Sequence, residues 1–176
     1  MDKSELRKAL VDHHALFIQL IASLPAREIQ HSHNGKWSPL QQMDHIIRSV
    51  DPVRLAFSMP AFLLRIIFGS ANRPSKTYDA LVEKYKGKLS AGGKSPSRFI
   101  PNSTSASLEV LSRKLKQLTD TLSSKVDSFS EEQLDQLILP HPLLGKLTLR
   151  EMLYFTIYHV QHHQRQVEAQ LAGHLV

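Results

Sequence analysis

The stretch TLREMLYFTIYHVQHHQRQVEAQL runs from Thr148 to Leu171. Its opening has the form of a helix start, because Thr148 can cap the first turn and Glu151 sits where a capping-box partner belongs. Gly173 follows as the stop. Each helical residue turns about 100° from the last. With Leu149 at zero, Met152, Thr156, His159, His163, Gln166, Val167 and Gln170 fall within about 100° of one another, which marks the buried face. On it His159 and His163 stand one above the other. Two imidazoles four residues apart can converge on one cation; otherwise they are core histidines satisfied by hydrogen bonds. Thr156, Gln166 and Gln170 share the face, so the core is interrupted by polar groups of the kind that surround a metal. Gln166, one turn beyond His163, is a candidate to orient a ligand. His162 points about 100° away from His163 and is expected beside the site or at the surface.

Other segments carry the same periodicity. Leu6, Leu10, Phe17, Leu20, Ile21 and Leu24 recur at three- and four-residue steps and predict a first helix over about 4–24, ended by Pro25. Ser38, Pro39 and Gln41 predict the start of a second, with Leu40, Met43, Ile47 and Val50 as its apolar stripe to about Phe57. Leu108, Leu111, Leu115, Leu118 and Leu122 predict a third over 105–126. Short helices are expected over 60–68 and 75–89, and another behind Ser130. Residues 91–103 have loop composition and HPLLGK, His141 to Lys146, reads as a turn. No strand alternation stands out. The 176 residues suit one domain spanning 1–176, an all-α four-helix bundle with extra short helices between the second and third long helices.

Composition narrows the chemistry. The chain has no cysteine, so a metal must be held by nitrogen and oxygen, and any thiol must come with a substrate. The net charge of +6 is dispersed, with a modest concentration from Lys84 to Arg98, which argues against nucleic acid as a partner. The longest apolar run, AFLLRIIF from Ala61 to Phe68, falls far short of the roughly 20 residues that span a bilayer, so no membrane partner is expected. MDKSELRKAL has no apolar core, so no signal peptide is expected and a cytoplasmic location is the default.

A third ligand must come from another helix, and His45 is the best candidate. Periodicity objects, because His45 lies about 150° from the centre of the apolar stripe, with Gln41, Arg48 and Ser49. His13 and His14 compete as pocket-lining or core residues, since the first apolar stripe passes through one of them. His31, His33, His141 and His174 fall in loops or near the end and read as surface. No general base is obvious: Asp44 points elsewhere, Glu151 is committed to capping, and Glu168 lies off the core face.

GKWSPLQQMDHI, Gly35 to Ile46, resembles the tryptophan–serine helix opening ahead of the first metal histidine in the DinB-like (DinB/YfiT) superfamily. HPLLGKLTLREMLYFTIYHVQHHQRQ, His141 to Gln166, resembles that family's final segment. The resemblance implies an up-down-down-up bundle, often a homodimer, with a divalent metal on His45, His159 and His163. Trp37, which lies in the first of these motifs, joins His13, Thr156, His162 and Gln166 as a candidate pocket residue. Zinc or nickel is the expected metal, with iron also compatible. The implied activities are a transferase acting on a low-molecular-weight thiol or a hydrolase acting on a small molecule. The alternative is a non-catalytic metal- or ligand-binding bundle tied to stress.

Overall fold

Local side-chain chemistry sets the helix starts. Asp2 and Glu5 exchange capping hydrogen bonds at the head of α1 (Lys3–Ala22). A short α2 (Ala26–Gln30) follows, which the sequence reading did not anticipate. Ser38 and Gln41 make the same exchange at α3 (Pro39–Phe57), with Pro39 in the first turn. Next come α4 (Ala61–Phe68), α5 (Tyr78–Ser90) and one 3-10 turn (Ser97–Phe99). Thr77 caps α5, so that helix begins three residues later than its composition suggests. Ser107 caps α6 (Leu108–Val126), and Ser130 with Gln133 boxes α7 (Glu131–Gln136). Thr148 and Glu151 then open α8 (Leu149–Ala172). This computed structural model describes residues 1–32, 35–101 and 106–173, so the expected start at Ser105 and the readings of His33 and His174 lie outside the described residues.

Two strands correct the expectation of helices and loops alone. β1 (Ile138–His141) pairs antiparallel with β2 (Gly145–Thr148), His141 opposite Gly145. Four residues per strand are too few to show alternation. The turn depends on Gly145, whose φ of 77° lies in the left-handed region where a side chain is strained.

The core is one cluster of apolar side chains, mostly from the four long helices α1, α3, α6 and α8, with additions from α4, α5, α7 and the hairpin. α1 packs against α6 and α8, and α3 packs against the same two. Side-chain contacts fix the directions. Arg7 near the start of α1 pairs with Asp127 just past the end of α6, so those two are antiparallel. The Met1 amino group reaches Tyr154 and its carbonyl accepts from Arg150 in the first turn of α8, so α1 and α8 are parallel. Ser112 meets Met43 near the two N-termini of α6 and α3, and Phe57 at the end of α3 meets Phe129 just past the end of α6, so α3 and α6 are parallel. The bundle therefore runs up, down, down, up. Because α3 and α6 are parallel, the chain between them must climb back along the bundle, about 28 Å for a 19-residue helix. α5 makes that climb against α8: Lys76 meets Glu151, Tyr78 meets Tyr154, and Tyr85 meets Tyr158.

The lower end of α8 is pinned by ion pairs. Glu151 is fully buried and accepts from Arg73, Lys76 N and Thr148 N. Burial pushes its carboxyl up, but those hydrogen bonds and the Arg73 charge hold it below the ordinary range. Among the described residues no helix is long and apolar enough to cross a membrane.

His14 is the histidine through which the α1 stripe passes. It is buried, its Nδ1 donates to Leu10 O at 2.7 Å, and its Nε2 has no hydrogen-bond partner among the described residues. Desolvation lowers its pKa to about 4. The folded state thus keeps His14 neutral while the unfolded chain takes up a proton below the ordinary 6.5, and stability present above pH 6.5 is lost as pH falls towards 4. The gap corresponds to at most about 3 kcal/mol. Denaturant melts of His14→Leu beside wild type should show the variant gaining up to about that amount, relative to wild type, between pH 7 and pH 4. Parallel pH curves would show that His14 is not buried neutral.

Candidate metal centre

Three elements bring three imidazoles together. α8 supplies His159 and His163 one turn apart, and α3 crosses it antiparallel so that His45, two turns into α3, faces both. His45 Nε2 lies 3.2 Å from His159 Nε2, and His163 Nε2 lies 3.1 Å from the same atom. All three residues are buried, and their ligand atoms lie within 4.8 Å of one another.

The outer nitrogens decide what the inner ones are. His45 Nδ1 sits 2.7 Å from Phe99 O, which can only accept, so the proton is on Nδ1. His163 Nδ1 sits 2.7 Å from Gln42 Oε1, and the Gln42 amide nitrogen turns to Trp37 O, which fixes the amide the same way round. The Nε2 atoms of both rings therefore carry lone pairs, and both face His159 Nε2. Those lone pairs can be satisfied by a cation lying between the three nitrogens or by a proton on His159 Nε2. Three nitrogens each about 2.1 Å from one cation stand about 3.0 Å apart at octahedral angles and about 3.4 Å apart at tetrahedral ones. The two spacings to His159 lie inside that range, and the third pair is within 4.8 Å, so the donor set is compatible with a divalent metal.

Electrostatics favour the ligating form. Burial holds His159 and His163 well below the ordinary imidazole range. The neighbouring His163 and His45 add to this for His159, and His45 and His162 add to it for His163. Burial also lowers His45, partly opposed by its bond to Phe99 and by Asp44. Neutral imidazole is the state that binds metal.

The triad lies on a cavity of about 670 Å³, within the range of small-molecule sites. Trp37 forms part of the wall, its ring 4.9 Å from that of His45 and stacked 6.3 Å from that of His163. Tyr85, Phe155 and Met152 add apolar surface. No Asp or Glu lines the cavity among the described residues.

Other sequence-predicted residues divide. His162 lines the cavity and accepts from Gln166 Nε2 at 2.9 Å, so Gln166 also lines it, but exposed and bonded to His162 rather than to His163. Gln166 lies at one edge of the buried sector of α8 and is exposed. Thr156 lies at the other edge, turned into the core, where its hydroxyl donates to Met152 O. His13 is half-buried on α1, and neither it nor Thr156 lines the cavity. Asp44 pairs with Arg48, and Glu168 accepts from Gln164.

His141 is the main correction, because it is buried rather than at the surface. Its Nδ1 accepts from Leu143 N and Leu144 N, both at 3.1 Å, and so closes its own hairpin turn. The proton is then on Nε2, which has no hydrogen-bond partner among the described residues. The ring lines the cavity and meets Phe155 at 4.2 Å, and Phe155 in turn stacks on His159. Desolvation and Lys84 lower its pKa to about 4. The sequence reading also passed over Gln42 and Phe99. Gln42 stands three residues before His45 in the GKWSPLQQMDHI motif, whereas a backbone carbonyl leaves no trace in a sequence.

Long-range ¹⁵N–¹H spectra of the metal-free protein at pH 7.5 should show His45 and His163 as Nδ1–H tautomers and His141 as Nε2–H. An Nε2–H tautomer at His163 would contradict the arrangement, because it would leave no proton on Nδ1 to donate to Gln42 Oε1 and no lone pair on Nε2 for a metal.

A sequence profile of the DinB superfamily matches residues 3–167. No curated protein matches the sequence. Among solved structures, YfiT from Bacillus subtilis has a similar fold, with a TM-score of 0.65 at 16% identity, covering 96% of this chain and 85% of that one. That protein is described as a probable metal-dependent hydrolase with an unusual four-helix bundle topology. On the strength of the match over residues 3–167, the chain belongs to the DinB superfamily.

Proposed function

We propose that this chain is a metal-dependent enzyme whose His45, His159 and His163 hold one divalent metal, zinc or nickel first, with iron also fitting the ligand set. The supporting observation is the convergence of the inner nitrogens, with the His45 and His163 protons held on the outer side. Bound there, a metal supplies Lewis acidity that lowers the pKa of a water or a thiol brought to it.

The chain's own residues do the rest. Phe99 O and Gln42 orient two of the imidazoles, Trp37 closes one side of them, and His141 donates from Nε2 to the substrate. No carboxylate lines the cavity among the described residues, so no ready general base for water stands there. That favours transfer of a low-molecular-weight thiol over hydrolysis, because a free thiol ionises near pH 8.5 and needs little help to become a nucleophile. Hydrolysis is the second reading, favoured by the description of the Bacillus subtilis protein of similar fold. The reading treats residues 1–176 as one domain working on a small molecule.

The test is metal content and affinity. Wild type loaded with zinc or nickel should retain about one ion per chain after dialysis, and His159→Ala/His163→Ala should retain none while its far-UV spectrum stays helical. Gln42→Leu should weaken binding about 10- to 100-fold, since it frees the ring that Gln42 orients. Equal metal in wild type and the double variant would overturn the proposal.

A further inference from the structure

The cavity's charge is one-sided. Lys36, Arg98 and Arg165 line it, all three are exposed, and none forms an ion pair among the described residues. Elsewhere the chain's arginines are mostly paired, as Arg7, Arg48, Arg54, Arg73, Arg113 and Arg150 all have carboxylate partners. Those at the cavity have aromatic rings instead. The Arg98 guanidinium lies 4.6 Å from the centre of the Phe99 ring and that of Arg165 lies 5.0 Å from the centre of the Tyr158 ring. Such stacking holds a guanidinium in place without neutralising it. Behind these cations the wall is apolar, with Val53, Leu89, Leu143, Met152 and Phe155.

We propose that this cavity takes a small molecule with an apolar body and an anionic group, the body against the Met152 and Phe155 wall and the anion between Arg98 and Arg165, with Lys36 adding to the field. The proposal rests on the reading of the cavity as a substrate site and narrows it to a substrate class. Two forked guanidiniums already without partners bind a carboxylate, sulfonate or phosphate group without first breaking an ion pair. A cationic substrate would meet three like charges and no carboxylate.

The test uses three probes of matched shape: 2-naphthalenesulfonate, 2-naphthalenemethanol and 2-naphthalenemethylamine. Affinities are measured calorimetrically at low salt with zinc-treated wild type, Arg98→Gln/Arg165→Gln, and the His159→Ala/His163→Ala protein. The sulfonate should bind wild type about tenfold tighter than the alcohol, the amine should bind weakest, and the preference should shrink as salt rises. Arg98→Gln/Arg165→Gln should bring sulfonate and alcohol within about threefold and leave the alcohol unchanged. Equal affinities in wild type, or a preference that survives the arginine substitutions, would overturn the proposal. The preference should persist in His159→Ala/His163→Ala, and its loss there would mean that the sulfonate is held by the metal and not by the arginines. Zinc retention is scored separately, so failure of the metal reading and failure of this one give different patterns.

Discussion

The parallel run of α3 and α6 is the constraint on which the rest of the structure depends. Two helices joined in sequence pack antiparallel through a short loop, but these point the same way, so the chain between Phe57 and Leu108 has to return along the length of the bundle. It does so on the outside of α8. That path turns a solvent-facing side of the bundle into an enclosed one. It brings Tyr85 against Phe155 and Tyr158, and Phe99 O against His45. The cavity therefore lies between two bundle helices, the crossover that closes over them and the β1–β2 hairpin.

The same geometry settles the electrostatics. An imidazole in a core normally offers its inner nitrogen to a neighbour. Here the outer nitrogens of His45 and His163 are already donating, so their inner nitrogens turn lone pairs toward His159 Nε2. The carboxylates on the two helices that carry the histidines are engaged elsewhere, Asp44 with Arg48, and Glu151 with Arg73 and the cap of α8. With no anion on the cavity wall among the described residues, the field there is set by exposed cations and by whatever binds the three nitrogens.

Much of this could be read from the residues. The capping boxes at Ser38 and Thr148 and the leucine spacing of α6 carry their own local physics, so the long helices came out within a few residues. The stacking of His159 on His163 follows from helical period alone. The burial of His45 did not, because a hydrophobic wheel counts only apolar partners. The cover on that side is a 3-10 turn 54 residues away that contributes a carbonyl. His141 misled for a related reason: a histidine in a turn looks solvated unless its Nδ1 is seen to close that turn. The hairpin was invisible because strands of four residues show no period. Family resemblance, carried by the motifs around Trp37 and His159, supplied the pairing of His45 with α8 that periodicity had refused.

The central claim is that three Nε2 atoms share one cation. Anomalous diffraction at the zinc edge from crystals grown with zinc tests it most directly. The account predicts one strong peak about 2.1 Å from the Nε2 atoms of His45, His159 and His163. A peak elsewhere on the chain, or no peak between these three imidazoles at full zinc, would contradict it.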